Sequence, residues 1–326
     1  MTKATQVRVH AHGGPEVMAL EDVELAPLAP GMVRIENRAI GVNYIDTYHR
    51  SGLYALPLPH GIGSESAGDV VALGEGVDPA WLGARVAVKT KTPCSYATHV
   101  DAPVGSFVRI PDGISYEVAA TGMIKGLTAW YLLRRTWPVK SGDTVLIHAA
   151  AGGVGLYLTQ WAKHLGLRVL ATVGSQEKAT LAKDAGADEV ILYREEDFAE
   201  RVRALTGGVG VDYVCDGVGK DTFFGSLKSL KPRGCLATFG NASGPTPEFS
   251  PAQLGPMGSL YVTRPALDHY IADPAEFAAG AEEFFGLVNS GILRVNIHQR
   301  FTLKDVVQVH QKLEARATTG ASVLIP

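Results

Sequence analysis

The stretch from Thr144 to Leu165 limits what this chain can fold into more than any other. A short branched run, Thr144-Val145-Leu146-Ile147-His148, enters Ala149-Ala150-Ala151-Gly152-Gly153-Val154-Gly155 and then an apolar helical pattern from Val154 to Leu165. A strand that turns through glycines into a helix leaves the helix's first N–H groups unpaired, with the positive end of its dipole beside them. The spacing fits G-x-G-x-x-G, with Ala150 in the first position and Gly152 and Gly155 in the other two. Gly152 lets the backbone approach a pyrophosphate, Gly155 lets the helix lie close against a sheet, and the helix opens near Val154. Context gives such a pattern its weight. Gly207-Gly208-Val209-Gly210 spells nearly the same letters after a helix and before a strand, so it reads as a connecting loop. Gly219-Lys220-Asp221 lacks both the earlier glycine and the following Ser or Thr of a P-loop.

The glycine turn sits in a longer alternation. Strands are predicted at Thr144–His148, Arg168–Val173, Glu189–Tyr193, Val211–Cys215 and Gly234–Phe239, with helices at Val154–Leu165, Glu177–Ala185, Asp197–Leu205 and Asp221–Leu230. Alternation at this spacing implies right-handed crossovers and a doubly wound parallel sheet, an α/β domain. Before it the chain reads as β-rich: short runs at Val7–Ala11, Met18–Leu25, Met32–Ile40, Ala67–Leu73, Arg85–Val88, Ser95–Val100 and Ser106–Ile110. Between the two parts, Glu117 to Leu133 has helical apolar spacing. After a loop from Asn241 to about Pro256 comes a strand-like Ser259–Thr263. The tail then holds a helix (Pro274–Asn289), a strand (Val295–Phe301), a helix (Leu303–Arg316) and a strand (Ser322–Ile325).

At 326 residues the chain has room for about two domains of ordinary size. Thirty basic against thirty-three acidic side chains leave a formal charge of −3, too little positive charge for generic nucleic-acid binding. Cys94, Cys215 and Cys235 form no CxxC pair and no disulfide framework, which points to a reducing compartment. Met1 to Gln6 has no apolar signal core. The uncharged run Thr144–Ala162 is long enough to cross a bilayer, but its glycines, His148 and Gln160 make it strand, turn and buried helix. A cytoplasmic protein without membrane spans is the expectation.

The end of the second alternating strand selects a cofactor. NAD-binding domains place a carboxylate there, on the ribose hydroxyls. Here the stretch is Val173-Gly174-Ser175-Gln176-Glu177-Lys178, with Gly174 in the acidic place and Ser175 and Lys178 beside it. A 2′-phosphate meets a hydroxyl and an ammonium, so NADPH is expected; Glu177 is the rival carboxylate if it turns inward.

With these residues in view, the chain resembles the zinc-independent quinone oxidoreductases of the medium-chain dehydrogenase/reductase superfamily (the zeta-crystallin group), and bacterial NADPH:quinone reductases in particular. The likeness is carried by Ala39 to Asp46, Arg50-Ser51-Gly52-Leu53-Tyr54, Lys125-Gly126-Leu127-Thr128-Ala129, the glycine turn, Tyr193 to Asp197, Phe239-Gly240-Asn241, Ser259 to Pro265 and Arg316-Ala317-Thr318. The resemblance implies a GroES-like catalytic domain (1–126), a Rossmann domain (127–265) and a C-terminal segment (266–326) returning to the catalytic domain. It also implies an active-site cleft at the junction and a homodimer paired through the Rossmann sheets. Carried over residue by residue, Lys178, Tyr193 and Arg316 surround the 2′-phosphate, and Gly153, Val154, Phe239 and Asn241 lie along the cofactor. Asn43, Tyr54 and Thr128 line the nicotinamide end.

Zinc alcohol dehydrogenases of that superfamily hold a catalytic metal; the corresponding positions here read Asn43, Ser64 and Ile124. An amide, a hydroxyl and an alkyl chain are a poor zinc set, so no metal is expected, His10, His12, His49 and His60 notwithstanding. An electrophilic quinone or enone needs less help than an alcohol. The protein has to orient the rings and donate hydrogen bonds to a developing oxyanion. Asn43, Tyr48, Tyr54 and Thr128 are the donors available, Tyr54 and Asn43 first among them. The expected activity is metal-free quinone reduction by hydride transfer from NADPH. Rival readings are an NADPH-dependent alkenal or enone reductase and, in another class, an NADPH-holding RNA-binding or crystallin-like protein. Cys94 becomes redox-sensitive only if Lys89 and Lys91 lower its pKa.

Overall fold

The computed structural model describes residues 3–326. The chain divides into two compact units. One takes the described residues up to Leu127 together with Asp273–Asn289 and Val295–Pro326; the other takes Thr128–Ala272 and Ser290–Arg294. Among the described residues the strands form three sheets.

The second unit is built on a six-stranded sheet in which every neighbouring pair is parallel. Thr144–Ile147 lies in the interior. Arg168–Val173 and then Glu189–Leu192 extend it to one side, and Val211–Asp216, Leu230–Thr238 and Tyr261–Thr263 to the other. The order therefore reverses at Thr144–Ile147, the strand that feeds the glycine turn, and such a reversal opens a crevice at the strands' carboxyl ends. Leu146, Leu170, Ile191, Val214 and Leu236 are buried along the strands, with Phe223 and Leu227 from the helix Phe223–Ser229 packed on them. Their central positions are apolar on both faces, as in a parallel sheet covered on both sides.

The first unit holds a seven-stranded sheet and a three-stranded one. In the larger, Ile297–Thr302, Ala321–Ile325, Met32–Gly41, Glu65–Leu73, Arg85–Lys89 and Phe107–Arg109 follow one another, and His99–Pro103 also pairs with Met32–Gly41. The smaller consists of Met18–Glu24, Lys3–Val9 and His60–Gly61. The tail belongs to this unit through its backbone: Val323 and Leu324 pair with Gly41 and Ile40. Leu303, Val306, Val309 and Leu324 pack in one cluster with Val7, Val9, Ile40, Val42 and Tyr96.

Three elements differ from the sequence reading. The strand expected over Ser95–Val100 begins only at His99, because Ser95 and Tyr96 turn their N–H groups onto Gly63 and Ile62. Tyr44–Ser51 is a helix that the alternation gave no reason to draw. The single helix expected over Glu117–Leu133 is broken: α-helix at Tyr116–Ala119 and Leu127–Tyr131, π-helical turns at Gly122–Gly126 and Leu132–Thr136. Among the described residues no helix is long and apolar enough to cross a membrane.

Candidate active site

In the second unit the helix Gly153–His164 starts at the glycine turn with Gly152 as its N-cap. Gly152 donates its N–H to Ala149 O at 2.9 Å, and no side chain caps the helix, so its first N–H groups stay available. A Cβ on Gly155 would stand 2.4 Å from Ala149 O and 2.7 Å from Ala150 Cα, which leaves glycine as the only fit. Ala149, one residue before the first motif position, takes the left-handed conformation, φ +50°, that a glycine would adopt without cost.

The next strand ends at Gly174. A Cβ there would lie 2.8 Å from the Tyr193 hydroxyl and 3.4 Å from Arg194 Nε, so a phenol and a guanidinium occupy the space an NAD-type carboxylate needs. Ser175 caps the helix Gln176–Asp184, its Oγ accepting the Lys178 N–H at 3.4 Å. Glu177 is exposed in the first turn of that helix. Beyond the fifth strand, Phe239 donates its N–H to Asp216 O, and its ring sits 3.1 Å from where a Gly217 Cβ would be; Asn241 follows in the same loop. Gly152, Gly153, Val154, Gly174, Ser175, Lys178, Tyr193, Phe239 and Asn241 thus all follow carboxyl ends of parallel strands. Thr128 is buried at the start of this unit, in the segment Leu127–Tyr131. Arg194 was not singled out from the sequence; only its place against the Gly174 Cβ position marks it.

In the first unit Asn43 is the N-cap of Tyr44–Ser51, and Asp46 reaches back to accept the Asn43 N–H at 2.8 Å. Gly52 ends the helix at φ +82°. The chain then returns Tyr54 over Tyr48, their rings edge to face at 5.2 Å. Tyr48 is buried, whereas Tyr54 is 37% exposed. The Asn43 amide is held at both ends: Nδ2 donates to Glu65 Oε1 at 2.9 Å and Oδ1 accepts from Lys125 Nζ at 2.8 Å. Lys125 also donates to Glu65 Oε1 at 3.1 Å, and Glu65 Oε2 accepts the Ile124 N–H at 2.7 Å. Neither charged residue was picked from the sequence as a site residue, although Lys125 is the one charged residue between Glu117 and Arg134.

A second string of buried polar groups leads away from Asn43. Asp46 accepts hydrogen bonds from the Ser64 hydroxyl at 3.0 Å and the Tyr96 hydroxyl at 3.0 Å. Tyr96 also meets His310 Nε2 at 3.2 Å, and Arg50 donates to His310 Nδ1 at 3.1 Å and to Glu314 at 2.5 Å. Burial raises the Asp46 carboxyl to about 7 despite its donors, and burial, with Arg50 beside it, lowers His310 to about 3. Arg316 follows two residues after Glu314, exposed and at φ +56°.

The three positions that hold zinc in the metal-dependent relatives do not fit a metal. Ser64 spends its hydroxyl on Asp46, the Asn43 amide is taken, and Ile124 offers an alkyl chain. His12 and His60 face each other at 5.8 Å, yet among the described residues no group of three His, Cys, Asp or Glu side chains could hold an ion. The reactive-thiolate condition for Cys94 is not met: burial, followed by the Asp101 charge, pushes it up to about 11.

Residues 29–137 match the alcohol dehydrogenase GroES-like domain family, and residues 153–281 match the zinc-binding dehydrogenase family. A quinone oxidoreductase of Pseudomonas aeruginosa is 49% identical, the match covering 99% of this chain and 100% of the relative. The crystal structure of Escherichia coli quinone oxidoreductase complexed with NADPH superimposes with a TM-score of 0.94 at 45% identity, covering 99% of this chain and 100% of that one. A 2-haloacrylate reductase of a Burkholderia species is 41% identical over 98% of both chains.

Proposed function

We infer the activity from one premise: the chain belongs to the quinone oxidoreductases of the medium-chain dehydrogenase/reductase superfamily. It is an NADPH-dependent enzyme that reduces quinones. Its own residues favour the phosphorylated dinucleotide at one place above all, the end of Arg168–Val173. There a glycine faces a phenol and a guanidinium, and a lysine follows in the next helical turn.

When bound, NADPH supplies the hydride. We assign the pyrophosphate to the uncapped N–H groups at Gly152, Gly153 and Val154, and the 2′-phosphate to Ser175, Lys178 and Tyr193 beside Gly174. Arg316 is proposed for the same phosphate, and Phe239 and Asn241 for the length of the cofactor. Asn43, Tyr48, Tyr54 and Thr128 are the groups proposed at the reacting end. Their task is to fix the acceptor ring and, for the hydroxyl-bearing residues, to donate hydrogen bonds as negative charge develops on its oxygen, where a preorganised donor counts most. Tyr54 suits this because its hydroxyl-bearing ring is partly exposed while Tyr48 supports it. No step calls on zinc.

Steady-state rates with simple quinones, measured with NADPH and with NADH, test the reading: turnover with NADPH and a clear preference over NADH is the expected result. The 2-haloacrylate reductase relative favours a second reading, reduction of activated alkenes, and the same assay with enones and haloacrylates separates the two. We further propose a cytoplasmic homodimer. Tyr261–Thr263 is an edge strand of the parallel sheet and Tyr261 is 56% exposed, which leaves an unpaired edge for a second copy. Light scattering that returns a monomer mass at micromolar concentration would remove the dimer from this proposal.

A further inference from the structure

Lys125 is a cation in an apolar place. Its side chain is 8% exposed, it stands alone among uncharged residues from Val118 to Leu133, and it sits inside the π-helical turn Gly122–Gly126. The fold is arranged to hold it there. Gly122 and Gly126 lie flat on Phe284, whose ring carbons are 2.4 and 2.5 Å from where their Cβ atoms would be. Glu65, fully buried, takes the Ile124 N–H of the same turn on one oxygen and the Lys125 ammonium on the other. Asn43 takes a second ammonium N–H. An ammonium has three donors. The third has no acceptor among the described residues, and a buried donor left unmade is costly.

Asn43 and Ile124 stand at two of the positions that bind the catalytic metal in the zinc-dependent relatives, and their chemistry does not suit a metal here. We propose that the Lys125 ammonium is the electrophile of this site, donating its third N–H to the carbonyl oxygen of the quinone and then giving it that proton. The proposal rests on the reading of the chain as a quinone reductase. When the quinone accepts hydride from NADPH, leaving NADP+, one carbonyl electron pair passes to oxygen and a hydroquinone monoanion forms. An N–H bond of Lys125 then breaks, an O–H bond forms, and the hydroquinone leaves neutral. The neutral amine recovers its proton from water. Glu65 and Asn43 position the ammonium; Asn43 acts on the acceptor chiefly through it.

A pinning role, in which Lys125 merely neutralises Glu65, is the alternative to exclude. Lys125→Met is compared with wild type for quinone turnover, for NADP+ affinity, and for the affinity of 4-nitrophenolate, a stable phenolate, in the presence of NADP+. Removing Lys125 strands the buried Glu65 charge. If the single variant melts early, Glu65→Gln/Lys125→Met is compared with Glu65→Gln instead. The expected result is a kcat lowered about 100-fold or more. The quinone KM and NADP+ affinity should stay within about threefold, and 4-nitrophenolate should bind at least about tenfold more weakly. A kcat within about threefold of the matched control, or equal phenolate affinity in both, overturns the proposal. If wild type itself turns over no quinone, the parent reading fails, and the phenolate comparison still decides whether Lys125 serves an oxyanion.

Discussion

Arg316 occupies a position that helices usually give to glycine. The helix Val306–Glu314 closes with the Arg316 N–H on Leu313 O and the Ala317 N–H on Lys312 O, the paired bonds of a Schellman end, and the residue between cap and tail must take positive φ. An arginine held at φ +56° carries a backbone strain that glycine would not. Arg316→Gly is therefore expected to raise unfolding free energy by about 0.5–1 kcal/mol while weakening NADPH much more than NADH. Denaturant melts and fluorescence titrations check the two halves; loss of both cofactors alike would remove Arg316 from the 2′-phosphate. Lys178→Ala should show the same selectivity, at about 1.5–3 kcal/mol. The strand-end glycine and the nearby lysine were readable from sequence, since each is a departure from an expected carboxylate. Arg194 and Glu65 were not, because what marks them is the atom each faces: the empty Cβ position of Gly174 and the Lys125 ammonium.

Among the elements, the most legible were those whose periodicity agrees with their packing. The parallel strands show as apolar runs, the helix Pro274–Asn289 has the bounds expected, and the capping pair Thr302 and Asp305 marks the start of the last helical segment. The segment after Ser115 misled for a physical reason. Ala119, Met123 and Leu127 are buried as a helical period requires, but that spacing does not distinguish α from π turns. Here the extra residue is imposed from outside, by the Phe284 ring against Gly122 and Gly126 and by Glu65 taking the Ile124 N–H. Gly126→Ala should cost about 1–3 kcal/mol through overpacking, and much less in a Phe284→Leu background. A double-mutant cycle in urea measures the coupling, and additive losses would show that the ring does not shape the turn. The helix Tyr44–Ser51 did leave a signal that the strand pattern masked: Asn43 and Asp46 are three apart, and Gly52 follows.

At the scale of the whole molecule, the alternation was enough to give the parallel sheet, whereas composition gave no reason to join the tail to the β-rich part. That connection depends on a strand pairing distant in sequence, and on a buried polar string that reaches from Asp46 to His310 on the last helix. The two ends of the string titrate in opposite senses. Asp46 titrates near 3.8 in an unfolded chain and about 7 in the fold, so the stability it contributes is complete below pH 3.8 and lost as pH rises through 7. His310, lowered from 6.5 to about 3, contributes stability that is present above pH 6.5 and lost as pH falls toward 3. Between about pH 4 and 6.5 the two slopes oppose each other. Asp46→Asn keeps the carbonyl acceptor for the Asn43 N–H and Tyr96 hydroxyl and turns its amide toward the Ser64 oxygen. It removes one slope and leaves the other. The difference in Tm, variant minus wild type, should therefore grow by several degrees as pH rises from about 4 to 7 and then stay level. Every other titrating group is common to both proteins and cancels in that difference, so a constant offset across the range would mean that the Asp46 carboxylate is ionised in the fold throughout.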